Sequence, residues 1–136
     1  ESNYMYGLNA GAARVFGALA GIPCTVTAAA QSLEIAPHVA QMIVAGGHET
    51  CAHGWRWVHQ FSQTEERERA FIGRAVASIA ASTGTRPHGW LSRYLHTDRT
   101  RALLAEAGFR YHMDDYSDDV PRWDAVQTAQ GAKAIV

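Results

Sequence analysis

Apolar residues are spaced along this chain in two ways, as short continuous runs and as longer helical patterns. The helical spacing predicts helices over Tyr6–Ala20, from Pro37 to Gly46, and over Thr64–Ser82. Short apolar runs, several of them rich in β-branched residues, predict four strands between the helices. The predicted strands are Cys24–Ala29, His48–His53, His88–Leu91 and Phe109–Met113.

Smaller signals predict where these elements begin and end. Ser62, with Glu65 three positions later, forms a capping box that predicts the start of the longest helix. Thr97 is placed to cap a further helix, which precedes the last predicted strand. Ser32–Ile35 is predicted to be a connector, and residues 115–136 form an acidic segment with no regular pattern.

The alternation of strands and helices predicts an α/β fold with parallel strands. Successive β–α units favour parallel pairing with right-handed crossover connections. The pattern fits either a doubly wound sheet or part of a (β/α) barrel, and composition does not separate the two. No internal sequence repeat and no low-complexity segment interrupts it.

Composition narrows the class of protein. The chain has 136 residues, of which 47% are hydrophobic and 18% charged, as in an ordinary globular domain. The net charge of −1 leaves no basic face, which argues against nucleic acid as a partner. The longest apolar stretch, residues 39–47, is too short to cross a bilayer.

Two cysteines, Cys24 and Cys51, lie in strand-like apolar runs. We expect both to be reduced, buried thiols, which is typical of a cytoplasmic protein. A disulfide or a metal thiolate is the alternative.

Two segments carry the chemical signal of the sequence. Residues 47–57 read Gly-His-Glu-Thr-Cys-Ala-His-Gly-Trp-Arg-Trp, and residues 83–90 read Thr-Gly-Thr-Arg-Pro-His-Gly-Trp. Two further stretches accompany them in order. Residues 1–7 read Glu-Ser-Asn-Tyr-Met-Tyr-Gly, and residues 111–121 read Tyr-His-Met-Asp-Asp-Tyr-Ser-Asp-Asp-Val-Pro.

In order and spacing these segments resemble the polysaccharide-deacetylase (NodB-homology) family, and within it the allantoinase-like branch. The resemblance covers nearly the whole chain. It implies a deacetylase-type distorted (β/α) barrel that hydrolyses amides. Residues 1–136 then form a single incomplete barrel domain, without the N-terminal strand and the C-terminal strands of that barrel.

The resemblance also implies a metal site, with one departure. His53 matches the first histidine of the family's metal pair, but the second position is Trp57, which cannot bind a metal. We therefore expect either no cofactor or a single divalent metal such as zinc, with His53 as its ligand. The Asp-Asp motif of the family, which supplies the catalytic base, lies upstream of the histidine motif.

Other roles follow from the same resemblance. Arg86 matches the arginine that fixes the catalytic carboxylate. Apart from the resemblance, the pair Asp114-Asp115 directly follows a predicted strand, so Asp114 or Asp115, but not both, could reach the site. Trp55, Trp57 and Trp90 are candidates for gripping a flat ring or a sugar face. The alternative for Trp55 and Trp90 is packing in the core.

Strand geometry is consistent with these assignments. A strand advances about 3.3 Å per residue, so His48 and His53 lie at opposite ends of one strand and cannot share an ion. Chemistry in a barrel gathers where the strands end, and His53, Trp90 and Asp114 all fall there. His59 is a less favoured replacement for the missing ligand.

The leading hypothesis is hydrolysis of a non-peptide C–N bond, in an N-acetyl sugar or a small cyclic amide such as allantoin. The alternatives are a non-catalytic piece of a split barrel and a carbohydrate-binding module. A complete barrel takes about 200–250 residues. We therefore expect another chain or segment to complete this one, as a homo- or hetero-oligomer.

Overall fold

Four short parallel strands form the centre of the computed structural model, which describes residues 2–136. Their order across the sheet is β1-β2-β3-β4, the order in which they occur along the chain. The strands are β1 Thr25–Ala28, β2 Glu49–Ala52, β3 Gly89–Trp90 and β4 Tyr111–His112. This arrangement confirms the prediction of an α/β fold with a parallel sheet.

The pairing aligns the ends of the four strands. Ala28 is paired with Ala52, Ala52 with Trp90, and Trp90 with His112. The residues that follow the strands therefore emerge side by side, at what we call the carboxyl edge of the sheet. The opposite side, where the strands begin, is the amino edge.

Helices connect the strands and cover one face of the sheet. The helices are α1 Ser2–Tyr6, α2 Ala12–Ala18, α3 Ala30–Ile35, α4 Pro37–Ala45, α5 Glu65–Thr83 and α6 Thr100–Glu106. A π-helical turn, Gly7–Gly11, joins α1 to α2, so the predicted helix Tyr6–Ala20 is one segment that begins earlier. A 3₁₀ turn, Gln60–Ser62, precedes α5.

Two of the smaller predictions are wrong. The predicted connector Ser32–Ile35 belongs to helix α3, because Leu33 is an apolar side chain that the helix buries against the core. The N-cap of α5 is Thr64, whose hydroxyl accepts a hydrogen bond from the Arg67 amide at 3.4 Å. The hydroxyl of Ser62 instead donates to the carbonyl of His59.

The predicted cap of α6 is also corrected. Helix α6 begins at Thr100 after Arg99, and no side chain caps its start. The Thr97 hydroxyl donates instead to a carboxylate oxygen of Glu68, at 2.9 Å. Glu68 is fully buried, so this bond ties the loop before α6 to helix α5.

The core lies between the sheet and the helices. Trp90 is completely buried there, with ring centroids 6.1 Å from Phe71 and 5.5 Å from Phe109. Aliphatic side chains of α3 to α6 surround these rings. The fully buried aliphatic residues of the core include Leu33, Ile43, Ile72, Ile79 and Leu104.

A β-hairpin follows the sheet, where the acidic segment was predicted to be irregular. Strand β5, Asp124–Thr128, pairs antiparallel with β6, Gly131–Ile135. Val136 then hydrogen-bonds to Arg110 and to His112 beside β4, at 3.0 and 2.8 Å. The prediction failed because apolar and polar residues alternate only weakly along these two strands. Of the residues in the hairpin strands, only Ile135 is fully buried.

Close packing between neighbouring strands of the sheet leads to a first prediction. A Cβ added at Gly89 would collide with the phenol ring of Tyr111, on the neighbouring strand. We expect Gly89→Ala to lower the free energy of unfolding by about 1–3 kcal/mol, because the ring or the strand must move.

Gly73 is the matched control, since no atom lies within 4 Å of an added Cβ there. It lies inside helix α5, so Gly73→Ala should raise stability by up to about 1 kcal/mol. Urea unfolding of both variants measures the difference. Equal effects at the two positions would contradict the described packing of Tyr111.

Candidate active site at the carboxyl edge of the sheet

Polar side chains meet at the carboxyl edge because each directly follows a strand. His53 follows β2, residues 91–93 follow β3, and Asp114 lies two residues beyond β4. The backbone holds these segments together, since the Leu91 amide donates to Ala52 and the Met113 amide donates to Trp90. The edge therefore presents an imidazole after β2 and a carboxylate after β4, on either side of the loop that follows β3.

His53 is half-buried and has a fixed orientation. Its Nδ1 lies 2.8 Å from the carbonyl oxygen of Leu91. Because a carbonyl can only accept, Nδ1 must carry the hydrogen. The neutral ring therefore keeps its lone pair on Nε2, where it can accept a proton, bind a cation or, once protonated, donate.

Trp57 lies beside His53 and is 41% exposed. The ring centroids of Trp57 and His53 are 6.1 Å apart, and the Tyr4 ring packs edge-on at 5.2 Å. An open cavity of about 750 Å³ adjoins Trp57 and is lined mainly by apolar surface, to which helices α1 and α3 contribute. Arg56 and Gln31 are among its polar lining residues. Trp57 is therefore placed to contact a bound molecule.

Arg93 is a residue of this edge that sequence reasoning missed. Its guanidinium carbon lies 4.4 Å from the centroid of the Trp57 ring and 4.7 Å from that of Tyr94. Tyr94 in turn stacks on His59, at 4.1 Å between ring centroids. The signal was available, because Arg93 follows a predicted strand just as His53 does.

Arg86, in contrast, lies at the amino edge, so the role predicted for it is corrected. It precedes β3, and its guanidinium donates to the carbonyl of Ala107 and lies 5.9 Å from the Phe109 ring centroid. It lines a cavity of about 290 Å³ together with His48 and His88. Parallel strands run in one direction, so a residue before a strand cannot reach the edge that carries His53.

Asp114 reaches the carboxyl edge and holds the loop after β3. One oxygen accepts from the Ser92 amide and the other from the Ser92 hydroxyl, each at 2.7 Å. The same hydroxyl accepts from the indole N–H of Trp90 at 3.0 Å. Asp114 therefore positions Ser92, the residue next to Arg93.

The neighbouring Asp115 has a structural role. Its carboxylate forms ion pairs with Arg101 at 2.9 Å and with Arg122 at 2.6 Å. Hydrogen bonds from Ser117, followed by these two guanidinium groups, lower the pKa of Asp115 to about 2. The Asp115 carboxylate is therefore engaged in ion pairs with Arg101 and Arg122 and not in a contact with His53.

Two of the three tryptophans proposed for substrate binding are corrected. Trp90 is 0% exposed and packs in the core, as its alternative interpretation stated. Trp55 is half-buried, and the guanidinium carbon of Arg74 lies 3.3 Å from the centroid of its ring. The indole N–H of Trp55 donates to Glu34 at 3.0 Å. Among the three, only Trp57 lies next to His53.

The described residues do not fit a metal ion. In residues 2–136, no three histidine, cysteine, aspartate or glutamate side chains come together as a ligand set. His53 offers one nitrogen, but the next family position is Trp57, which has no lone pair to donate. His59 stacks on Tyr94 and does not replace the missing histidine ligand. A structural or catalytic zinc site requires three or four protein ligands.

Both cysteines are free, as predicted, but only Cys51 is fully buried. Burial raises the pKa of the Cys51 thiol to about 12. Cys24 is half-buried, and its sulfur lies 3.3 Å from Nδ1 of His48. The two thiols should therefore differ in reactivity, because the thiolate is the reactive form.

We expect a thiol reagent at mildly alkaline pH to label Cys24 in the native protein and to label Cys51 only after unfolding. Mass spectrometry of peptides from the native and the denatured protein measures this. Cys24→Ser is the control, and it should remove the native label completely. Rapid native labelling of Cys51 would contradict its burial.

The fold and this edge define a class of protein, a (β/α)-type α/β domain with its reactive groups where the strands end. The family model for polysaccharide deacetylase matches residues 9–112. The chain belongs to the polysaccharide deacetylase family.

Solved structures agree with this membership over the whole chain. A probable polysaccharide deacetylase from Pseudomonas aeruginosa PAO1 is 37% identical with a TM-score of 0.87, covering 100% of this chain and 46% of that protein. The Puue allantoinase is 34% identical with a TM-score of 0.88, and its coverage is the same. The predicted fold, part of a deacetylase-type (β/α) barrel, is therefore confirmed.

A curated relative is more distant. The peptidoglycan deacetylase of Helicobacter pylori (strain ATCC 700392 / 26695) is 29% identical over 102 residues, which are 74% of this chain and 35% of that protein. The chain thus spans less than half the length of these three proteins. In residues 2–136, no helix has the length and apolar character needed to cross a membrane.

Proposed function

We propose that the carboxyl edge belongs to a hydrolase acting on a non-peptide C–N bond. The orientation of His53 carries this proposal, because its Nδ1–H is held by the Leu91 carbonyl and its Nε2 remains available. A histidine fixed in this way is suited to proton transfer. Family membership supports the reaction class, and the open cavity beside Trp57 offers room for a substrate.

The proposed reaction has two stages. Water adds to the carbonyl carbon, its proton goes to a carboxylate, and the C=O electron pair moves onto oxygen. The C=O bond then reforms while the C–N bond breaks, and protonated His53 delivers its Nε2 proton to the leaving nitrogen. The proton held by the carboxylate then returns to His53. The products are a carboxylic acid and an amino group, which for a cyclic amide remain in one ring-opened molecule, so atoms and charge balance.

The carboxylate that takes the proton is proposed to come from outside this segment. Asp114 uses both of its oxygens to hold Ser92, and Asp115 is paired with two arginines. We therefore assign Asp114 to positioning the loop. The family's upstream aspartate would be supplied by the rest of the barrel.

We favour a small cyclic amide as the substrate over an N-acetyl sugar. Only one of the three candidate tryptophans, Trp57, is free to contact a ligand, so a long sugar chain would find few stacking surfaces. The similarity to the Puue allantoinase, at 34% identity, supports the same choice.

The experiment uses this segment together with the missing strands of the barrel, and compares hydrolysis of allantoin and of chito-oligosaccharides, with and without a chelator. We expect turnover of allantoin that the chelator does not change. Turnover only of the oligosaccharide would overturn the substrate class. Tight zinc at one equivalent, with activity lost on chelation, would overturn the metal-free form of the proposal.

We also propose that the segment works as one part of a complete barrel. Within residues 2–136, strand β1 is paired on one side only, so its other edge leaves backbone groups open for a further strand. A non-catalytic part of a split barrel is the competing function.

Light scattering and urea unfolding of the 136-residue chain test this proposal. A stable monomer of 14.8 kDa that unfolds cooperatively would contradict the need for further strands. Association, or restoration of activity by the missing strands, would support it.

A further inference from the structure

We propose that the guanidinium of Arg93 supplies the positive charge that faces the substrate carbonyl oxygen, in the place of a metal ion. This inference rests on the proposed hydrolase function. It names the group that stabilises the oxyanion, and it explains why this edge lacks a ligand set.

The first observation is the position of the charge. Trp57 stands where the family has a second metal-binding histidine, and the Arg93 guanidinium carbon lies 4.4 Å from its ring centroid. Trp57 also contacts His53, at 6.1 Å between ring centroids. The same indole is therefore in contact with a fixed cation and with the imidazole that would have been the first ligand.

The second observation is that Arg93 is held in place by rings. Its guanidinium also lies 4.7 Å from the Tyr94 ring centroid, and Tyr94 stacks on His59, which contacts Phe61. Cation–π contacts stabilise a guanidinium without neutralising its charge. The stack thus orders a long side chain before any substrate binds.

The loops that carry this stack are held in place by a buried carboxylate of helix α5. Fully buried Glu68 accepts hydrogen bonds from Gln60, Thr97 and Thr100 and forms an ion pair with Arg99 at 3.3 Å. Gln60 lies next to His59, and Thr97 lies four residues after Arg93. One buried carboxylate therefore fixes both loops, which limits the movement of Arg93.

The charge of Arg93 remains available to a ligand. In residues 2–136, the described ion pairs join the carboxylates to other cations, among them Arg69, Arg99, Arg101 and Arg122. A divalent cation beside His53 would be repelled by this guanidinium. A developing oxyanion would instead accept its N–H hydrogen bonds.

The test uses the protein with the complete barrel, which includes the upstream aspartate, and measures zinc binding and kinetics separately. The variants are Arg93→Met, Trp57→His and the double variant Trp57→His/Arg93→Met. Arg67→Met, on the exposed face of helix α5, is the matched control. Thermal unfolding of each variant checks that the fold is retained.

We expect the unchanged protein to bind no zinc tightly in a calorimetric titration. The double variant should bind zinc roughly 100-fold more tightly than Trp57→His alone, because both carry the added ligand and only the double variant removes the repelling charge. A stoichiometric zinc site in the unchanged protein that His53→Gln abolishes would overturn the inference. Equal zinc affinity in the single and double variants would also overturn it.

On the substrate that the unchanged protein hydrolyses, Arg93→Met should lower kcat about 10²- to 10³-fold with little change in KM. Arg67→Met should match the unchanged protein. An unaltered kcat in a folded Arg93→Met variant would overturn the inference and leave the hydrolase proposal standing. If no substrate is hydrolysed, the hydrolase proposal fails, while the zinc titration still decides whether Arg93 excludes a metal.

Discussion

Replacing His53 by glutamine should lower kcat by about 10²- to 10⁴-fold while the protein stays folded. Glutamine can still donate a hydrogen bond to the Leu91 carbonyl, which His53 reaches at 2.8 Å. It cannot exchange a proton near neutral pH, so proton delivery to the leaving nitrogen is lost. Steady-state kinetics on the preferred amide substrate measure the effect.

His38 provides the matched control for this substitution. Its ring also contacts a backbone carbonyl, that of Leu8 at 2.9 Å, but it lies on helix α4 and is exposed. His38→Gln should leave kcat within about two-fold of the unchanged protein, since glutamine can keep a comparable contact and His38 has no part in the proposed proton transfer. A folded His53→Gln variant with full activity would refute the assigned role.

Truncating Trp90 should have the largest effect on stability. The side chain is 0% exposed and packs between Phe71 and Phe109, and its N–H donates to Ser92. We expect Trp90→Ala to lower the free energy of unfolding by about 3–5 kcal/mol, because it opens a cavity in the core and removes the hydrogen bond to Ser92. Chemical denaturation monitored by circular dichroism measures the change.

Trp123 is the control for that experiment, because it is 71% exposed. Trp123→Ala should change stability by less than about 0.5 kcal/mol. If Trp90→Ala instead left stability intact and weakened substrate binding alone, Trp90 would be a binding residue and the described core would be wrong.

The sequence predicted the parallel sheet correctly, since each strand is a compact apolar run bounded by helical patterns. It located α5 well, because nineteen consecutive residues repeat the helical spacing and the left-handed Gly84 ends it. The hairpin β5–β6 was missed. Its strands alternate exposed and half-buried residues, so little of their stability is encoded in a hydrophobic pattern.

The candidate site was predicted less well, for a geometric reason. His53 and Asp114 were placed at the carboxyl edge because strand order alone decides that position. Arg86 was assigned from a motif match, although it precedes its strand and therefore emerges at the amino edge. Applying the rule used for His53 to every charged residue would have selected Arg93 instead.

The tryptophans show a different limit of sequence reasoning. Trp55, Trp57 and Trp90 are chemically identical, and their roles depend on which face of the sheet or loop each occupies. Trp90 shares the row of Ala52 and His112, which faces the helices and the core. Trp57 lies in an irregular loop, whose path no periodicity predicts.

The central claim is that substrate binds at the carboxyl edge beside His53. A crystal structure of the full-chain His53→Gln variant with its unhydrolysed amide substrate tests this most directly. We predict the substrate next to position 53, with its carbonyl oxygen within hydrogen-bond distance of the Arg93 guanidinium. A substrate bound at the amino edge, in the cavity lined by Arg86 and His88, would contradict the account.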